Sequence, residues 1–192
     1  MKIAIDAGHG GSDPGAVDDK EKRLGDDDIY EDEIYSEESD IVLKASKIFK
    51  KIVEKNNHTA IMTREKDKYV KLQKRVDIAN KHDVDVFVSF HCNAINDGSV
   101  RGIETLYWHK SKVSPKLADC VQKELINVAD SPDRGIKSRD NVHVLEATNM
   151  AAVLIEMGFI SNNREEKLLN EKEYLHLLCE AVLKGVEKYE KN

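Results

Sequence analysis

Apolar positions along the 192-residue chain fall into two alternating patterns. Short continuous runs at 2–6 ("KIAID"), 84–91 and 151–156 ("AAVLIE") read as buried strands, and 58–63 ("HTAIMT") and 102–108 ("GIETLYW") as further strands. Between them the period lengthens. Ile41, Val42, Ala45, Ile48, Phe49, Ile52 and Val53 lie on one face of a helix that begins at Glu38. Leu72, Val76 and Ala79 mark a helix at 71–82, and Pro115 to Val128 another, ended by a loop with Pro132 and Gly135. "VHVLEA" at 142–147 reads as one more late strand, and 164–189 as a closing helix with Leu168, Leu169, Leu175, Leu178, Val182 and Val186 inward. Strands alternating with helices predict an α/β fold: one domain over 1–192, with a mixed, mostly parallel sheet flanked by helices.

Three apolar strands end on side chains that do chemistry. "IAIDAGHGG" (3–11) reaches His9, "VFVSFHCN" (86–93) reaches His91, and "AVLIEMG" (152–158) reaches Glu156. In an open α/β sheet ligands bind beyond the carboxyl ends of the strands, so all three belong to one edge, with Glu38 opening the helix that packs back from it. Two imidazoles and a carboxylate with an open position form a catalytic zinc set, which His9, Glu38 and His91 match. Glu156 is left for proton transfer, its pKa expected to be raised where an apolar run ends. Each residue also has a plain reading. His9 can hydrogen-bond its glycine-rich turn, His91 can be a satisfied strand end, Glu38 can serve the helix dipole, and Glu156 can mark where a strand meets water. Cys92 is sent to the opposite face from His91 by strand alternation. "GHGGSDPG" is no nucleotide cradle, because Asp13 stands where a third glycine belongs and no G-K-[S/T] follows.

Charge refines the picture. Residues 18–40 hold 12 acidic and 3 basic side chains, a net of −9, leaving +3 for the rest of a chain whose total is −6. No basic stripe with interleaved aromatics exists, which argues against nucleic acid as a partner. The acidic stretch at about 18–37 reads as an exposed insertion, partly ordered by Ile29, Tyr30, Ile34 and Tyr35. Cys92, Cys120 and Cys179 form no C-x-x-C motif and read as reduced, mostly buried thiols. Apolar runs fall short of the ~18 residues of a membrane span, so no integral membrane segment is expected. Met1 leads straight into a strand, so no secretory leader is read and synthesis in the cytoplasm is expected.

"IDAGHGGSDPGA", "EESDIVLKASKIFKKI", "TREKD", "LQKRVDIAN", "FVSFHCNA", "RGIETLYW", "RGIK" and "VLIEMGFISN" occur in this order. The series resembles the zinc-dependent N-acetylmuramoyl-L-alanine amidases often called amidase 3, over nearly the whole chain. The resemblance implies a monomeric peptidoglycan hydrolase with one Zn2+ per chain on His9, Glu38 and His91, and Glu156 as the catalytic glutamate. It acts on the cell wall, as a phage endolysin or a bacterial autolysin domain. Other readings are a zinc carboxypeptidase acting on stem peptides and a wall-binding module without catalysis. The chain departs from the family pattern at Ala7 and Ala151, where proline is usual, and in the long acidic stretch between Gly15 and Glu38. That length makes Glu37, and more remotely Glu33, rival ligands. Glu38 is preferred because it keeps the family's step to Leu43. Arg64, Arg75 and Asn80 are candidates for positioning loops or stem-peptide carboxylates, with structural pairing the plainer role for each.

Overall fold

A computed structural model describes residues 1–18 and 36–191. Its elements are β1 (Lys2–Ala7), β2 (Val17–Asp18), β3 (Ser36–Glu37), α1 (Glu38–Lys55), β4 (Thr59–Met62), α2 (Leu72–His82), β5 (Val86–Asn93), β6 (Ile103–Trp108), α3 (Ser114–Ile126), β7 (Asp133–Arg139), α4 (His143–Glu146), β8 (Ala151–Phe159), α5 (Asn163–Asn170) and α6 (Lys172–Lys191). Most of the acidic stretch, with Ile29, Tyr30, Ile34 and Tyr35, lies outside the described residues.

The main sheet has the order β4-β1-β5-β8-β6-β7. β4, β1, β5 and β8 run parallel, β6 runs antiparallel to β8, and β7 runs parallel to β6. The continuous apolar runs occupy the centre because β1, β5 and β8 are covered on both faces. One face packs Ile3, Ile5, Val88, Phe90, Val153 and Ile155 against α1, α3 and α6. The other packs Ala4, Phe87, Ala152 and Leu154 with Val76 and Ala79 of α2 and Val144 and Leu145 of α4. Alternation therefore sends Cys92 into the first layer. Cys92 and Cys179 are buried and all three cysteines are free thiols, although Cys120 is only half-buried. Among the described residues no helix is long and apolar enough to cross a membrane.

Three sequence expectations are corrected. Residues 133–139, read as loop, form the edge strand β7; Ile136 is the lone apolar residue in DRGIKSR, so no alternation betrays it. "VHVLEA" contains a short helix, α4, because Val144 and Leu145 must both face the second core layer, which adjacent strand residues cannot do. The closing helix is two helices, broken at Glu171, whose backbone is extended (φ −80°, ψ 122°).

Candidate active site

The site begins with the turn after β1. His9 has left-handed backbone (φ 55°), a strained setting for a residue with a Cβ. Two buried arginines hold it there. Arg64 donates from Nε to the Ala7 carbonyl at 3.0 Å and from Nη2 to the Gly8 carbonyl at 2.7 Å. Arg75 donates to the His9 carbonyl at 2.6 Å and to the Ala7 carbonyl. Asp6, itself buried, takes Arg75 at 2.8 Å, Thr63 at 2.6 Å and Ser89 at 2.7 Å. Burial opposes the Asp6 charge, but Arg75 and the two hydroxyls outweigh it and hold the carboxyl below its ordinary range. The carbonyls of residues 7, 8 and 9 thus all point at guanidinium groups. Asn80 also serves structure, donating to the Ala147 carbonyl at 3.1 Å and accepting from the Asn149 amide at 3.0 Å.

The His9 ring lies with Nδ1 3.0 Å from Asp13 Oδ1 and Nε2 3.3 Å from Glu38 Oε2. His91, near the end of β5, places Nδ1 2.8 Å from Glu38 Oε1, and the two imidazoles meet edge to face at 4.9 Å. Glu38 is fixed between them by amides: Ala16 N–H donates to Oε2 at 2.9 Å and Cys92 N–H to Oε1 at 3.0 Å. Its helix start is docked by Glu38 N–H on the Ala16 carbonyl and Ser39 N–H on the Pro14 carbonyl. Glycines make this closeness possible. A Cβ on Gly8 would overlap the His91 ring, and one on Gly15 (φ +70°) would come within 2.5 Å of Glu38 Oε2.

Charge follows geometry. Burial draws the His9 pKa down, but the Glu38 and Asp13 carboxylates prevail and raise it to about 9. Burial likewise opposes ionisation of Glu38, and the two histidines hold it well below the carboxylate range. A carboxylate clasped by two imidazoles demands positive charge between them, from protons or from a cation. Among the described residues His9, Glu38 and His91 are the group able to hold a metal ion, their donor atoms all within 4.8 Å of one another. Two imidazole nitrogens and one carboxylate oxygen suit zinc by donor chemistry, and Asp13 on the far side of His9 is the usual companion of a ligating histidine. Glu37 instead pairs with Val17 in the β2–β3 ladder and occupies the residue before α1 without a side-chain capping bond, and Glu33 lies outside the described residues.

Glu156 stands beside this group, in register with His91 on β5. Its Oε2 is buried and has no hydrogen-bond partner among the described residues. Burial raises its pKa to about 7, with His91 pulling down and Glu38 and Glu104 pushing up. Glu104 continues the row: it pairs with Glu156 from β6, and Arg134 and Lys137 meet it. Nothing in the sequence singles out Glu104, Asp13, Gly8 or Gly15 for the places they take here.

A mostly parallel sheet that gathers two histidines with the carboxylates of Glu38 and Glu156 along one edge has the makeup of a metal-dependent hydrolase. A family profile described as N-acetylmuramoyl-L-alanine amidase matches residues 3–188, and the chain belongs to that family. The probable cell wall amidase LytH of Staphylococcus saprophyticus is 34% identical over 187 residues, 97% of this chain and 57% of that protein. The chain therefore spans little more than half the length of such relatives. The N-acetylmuramoyl-L-alanine amidase of Clostridium difficile 630 superposes with a TM-score of 0.87 at 32% identity, covering 100% of this chain and 97% of the other. The catalytic domain of CwlV, an amidase from Bacillus (Paenibacillus) polymyxa, gives 0.86 at 29% identity over 99% and 98% of the two chains.

Proposed function

We propose that the chain hydrolyses the amide between the lactyl group of N-acetylmuramic acid and L-alanine in peptidoglycan, outside the cytoplasm. It works as a monomer with one zinc ion held by His9, Glu38 and His91, and with Glu156 as general base and acid. The observation that carries the reading is Glu156, whose buried, partnerless Oε2 and pKa near 7 stand beside the histidine pair. All four side chains come from one chain, so the site is complete without a second copy.

A zinc ion bound there supplies Lewis acidity, acidifying a water and polarising a carbonyl oxygen. The other work falls to side chains. Glu156 takes a proton from the attacking water on its carboxylate as the water oxygen bonds to the lactyl carbonyl carbon. It returns that proton to the alanine nitrogen as the carbon–nitrogen bond breaks, leaving a lactyl carboxylic acid and a free amine. A group with a pKa near 7 suits both halves of the cycle. Asp13 orients the His9 ring, and Arg64 and Arg75 hold the turn that carries it.

The test is end-group analysis of purified peptidoglycan treated with the protein. New amino-terminal L-alanine, abolished by a chelator and restored by zinc, is expected, with one zinc per chain by elemental analysis. Release of carboxyl-terminal stem residues in its place would make the protein a carboxypeptidase. Wall binding without any new end group would make it a binding module.

A further inference from the structure

Beyond Glu156 the transverse row of the sheet reaches Glu104, whose side chain is only 3% exposed yet faces three cations. Arg134 Nε lies 3.1 Å from Oε2, Lys137 Nζ 2.6 Å from the same oxygen, and Arg139 Nη2 3.7 Å from Oε1. Asn93 Nδ2 adds a contact at 3.4 Å. Burial opposes the Glu104 charge, but Lys137 and Arg134 hold its carboxyl below the ordinary range.

One carboxylate does not balance three cations, and the group carries a net charge of +2. The cations are not loose surface groups. The Arg134 guanidinium lies over the Phe159 ring at 5.0 Å, its Nη1 reaches the Arg101 carbonyl at 3.5 Å, and Gly102 leaves the room its stem needs, since a Cβ there would stand 2.5 Å from Arg134 Cγ. Glu104, in register with Glu156, gathers all three heads, while their side chains remain 33%, 32% and 46% exposed. The contrast with Arg64 and Arg75 is sharp: those two are almost fully buried and engaged with backbone carbonyls.

We propose that Arg134, Lys137 and Arg139 form a subsite for a carboxylate of the stem peptide, held open by Glu104. The proposal rests on the amidase reading for the identity of the ligand. A guanidinium stacked on an aromatic ring, with an ammonium and a second guanidinium close by, offers the planar and point-charge donors that carboxylates take. The subsite lies on the edge strand β7, separated from the general base on β8 only by β6, whose Glu104 is in register with Glu156.

The experiment is calorimetric binding of two synthetic peptides to the metal-stripped protein. One begins L-Ala-D-Glu with free carboxylates; the other is the same peptide with every carboxylate converted to carboxamide. The wild type is expected to prefer the acid by about tenfold or more, from one or two charge-assisted contacts. The Lys137→Gln/Arg139→Gln protein is expected to bind both within about twofold, and Lys137→Arg to keep the preference. If the double variant does not fold, Arg139→Gln alone, at the most exposed of the three positions, is expected to lose about threefold of the preference. A wild type without preference, or variants that keep it in full, overturns the subsite. End-group analysis of the wild type on muramyl peptide, run in parallel, separates the two readings. Cleavage without carboxylate preference removes the subsite alone, and preference without cleavage removes the amidase reading alone.

Discussion

A single nitrogen of Arg64 binds the carbonyls of Gly8 and Ser39, at 2.7 and 2.8 Å, and so joins the residue before His9 to the residue after Glu38. Arg64 as a whole is 1% exposed. Through it, two segments separated by the whole acidic stretch become one rigid unit.

Arg64→Lys is therefore expected to weaken metal binding by about 10- to 100-fold, as loss of the groups that orient metal ligands does. An ammonium cannot span three carbonyls in one plane. Arg64→Ala removes the guanidinium from these buried carbonyls at once and should cost roughly 2–5 kcal/mol of stability. Metal titration and urea unfolding read the two effects separately.

Gly15→Ala and Gly135→Ala make a matched pair. Both glycines have left-handed backbone, φ +70° and +74°, but only at Gly15 would a Cβ meet the site; around Gly135 it meets nothing within 4 Å. Each variant should lose about 1–2 kcal/mol to backbone strain. Gly15→Ala should in addition lose its metal, detected by elemental analysis, while Gly135→Ala should keep it.

Glu156→Gln is expected to keep one zinc and lose at least about a hundredfold in hydrolysis, the usual scale of general acid–base catalysis. Stability should move the other way. The wild-type carboxyl has its pKa raised from 4.5 to about 7 by burial, so between those values the folded state holds a proton that the unfolded chain has released, and stability falls as pH rises. Metal-stripped Glu156→Gln should thus melt higher than wild type at pH 8 and show no such gain at pH 4. Equal differences at both pH values would contradict this account.

Asp6 carries the opposite sign. Its pKa is lowered in the folded state, so its contribution is complete above the unfolded value of about 4 and disappears as pH falls through the folded one. Asp6→Asn strands Arg75 as a buried charge and should cost about 3–5 kcal/mol at neutral pH, with a smaller difference from wild type in strong acid. Denaturant melts at pH 7 and pH 2.5 give the comparison.

What could be read beforehand followed from the topology. β1, β5 and β8 are central and parallel, so their runs are apolar throughout and their carboxyl ends announce the site. β6 is antiparallel to β8, so it brings its amino-terminal end, with Glu104, to that same edge. A rule that looks beyond the carboxyl ends of strands overlooks such a residue. β7 is an edge strand rich in arginine and lysine, a composition that protects an edge and conceals the strand. Arg64 and Arg75 stand out in the sequence as candidates for positioning loops, but what they hold is not legible there, because donors to backbone carbonyls leave no partner side chain to find.

The β2–β3 ladder has a consequence of another kind. Val17 pairs with Glu37 and Asp18 with Ser36, so the chain departs from and returns to one spot, directly before Glu38. On the near side of that spot the Ala16 carbonyl accepts from Glu38 N–H, the Ala16 N–H donates to Glu38 Oε2, and the Pro14 carbonyl accepts from Ser39 N–H. The ladder thus works as a clasp: it fixes the entry to α1 by itself, and the backbone contacts that seat Glu38 come from residues that precede it in the chain.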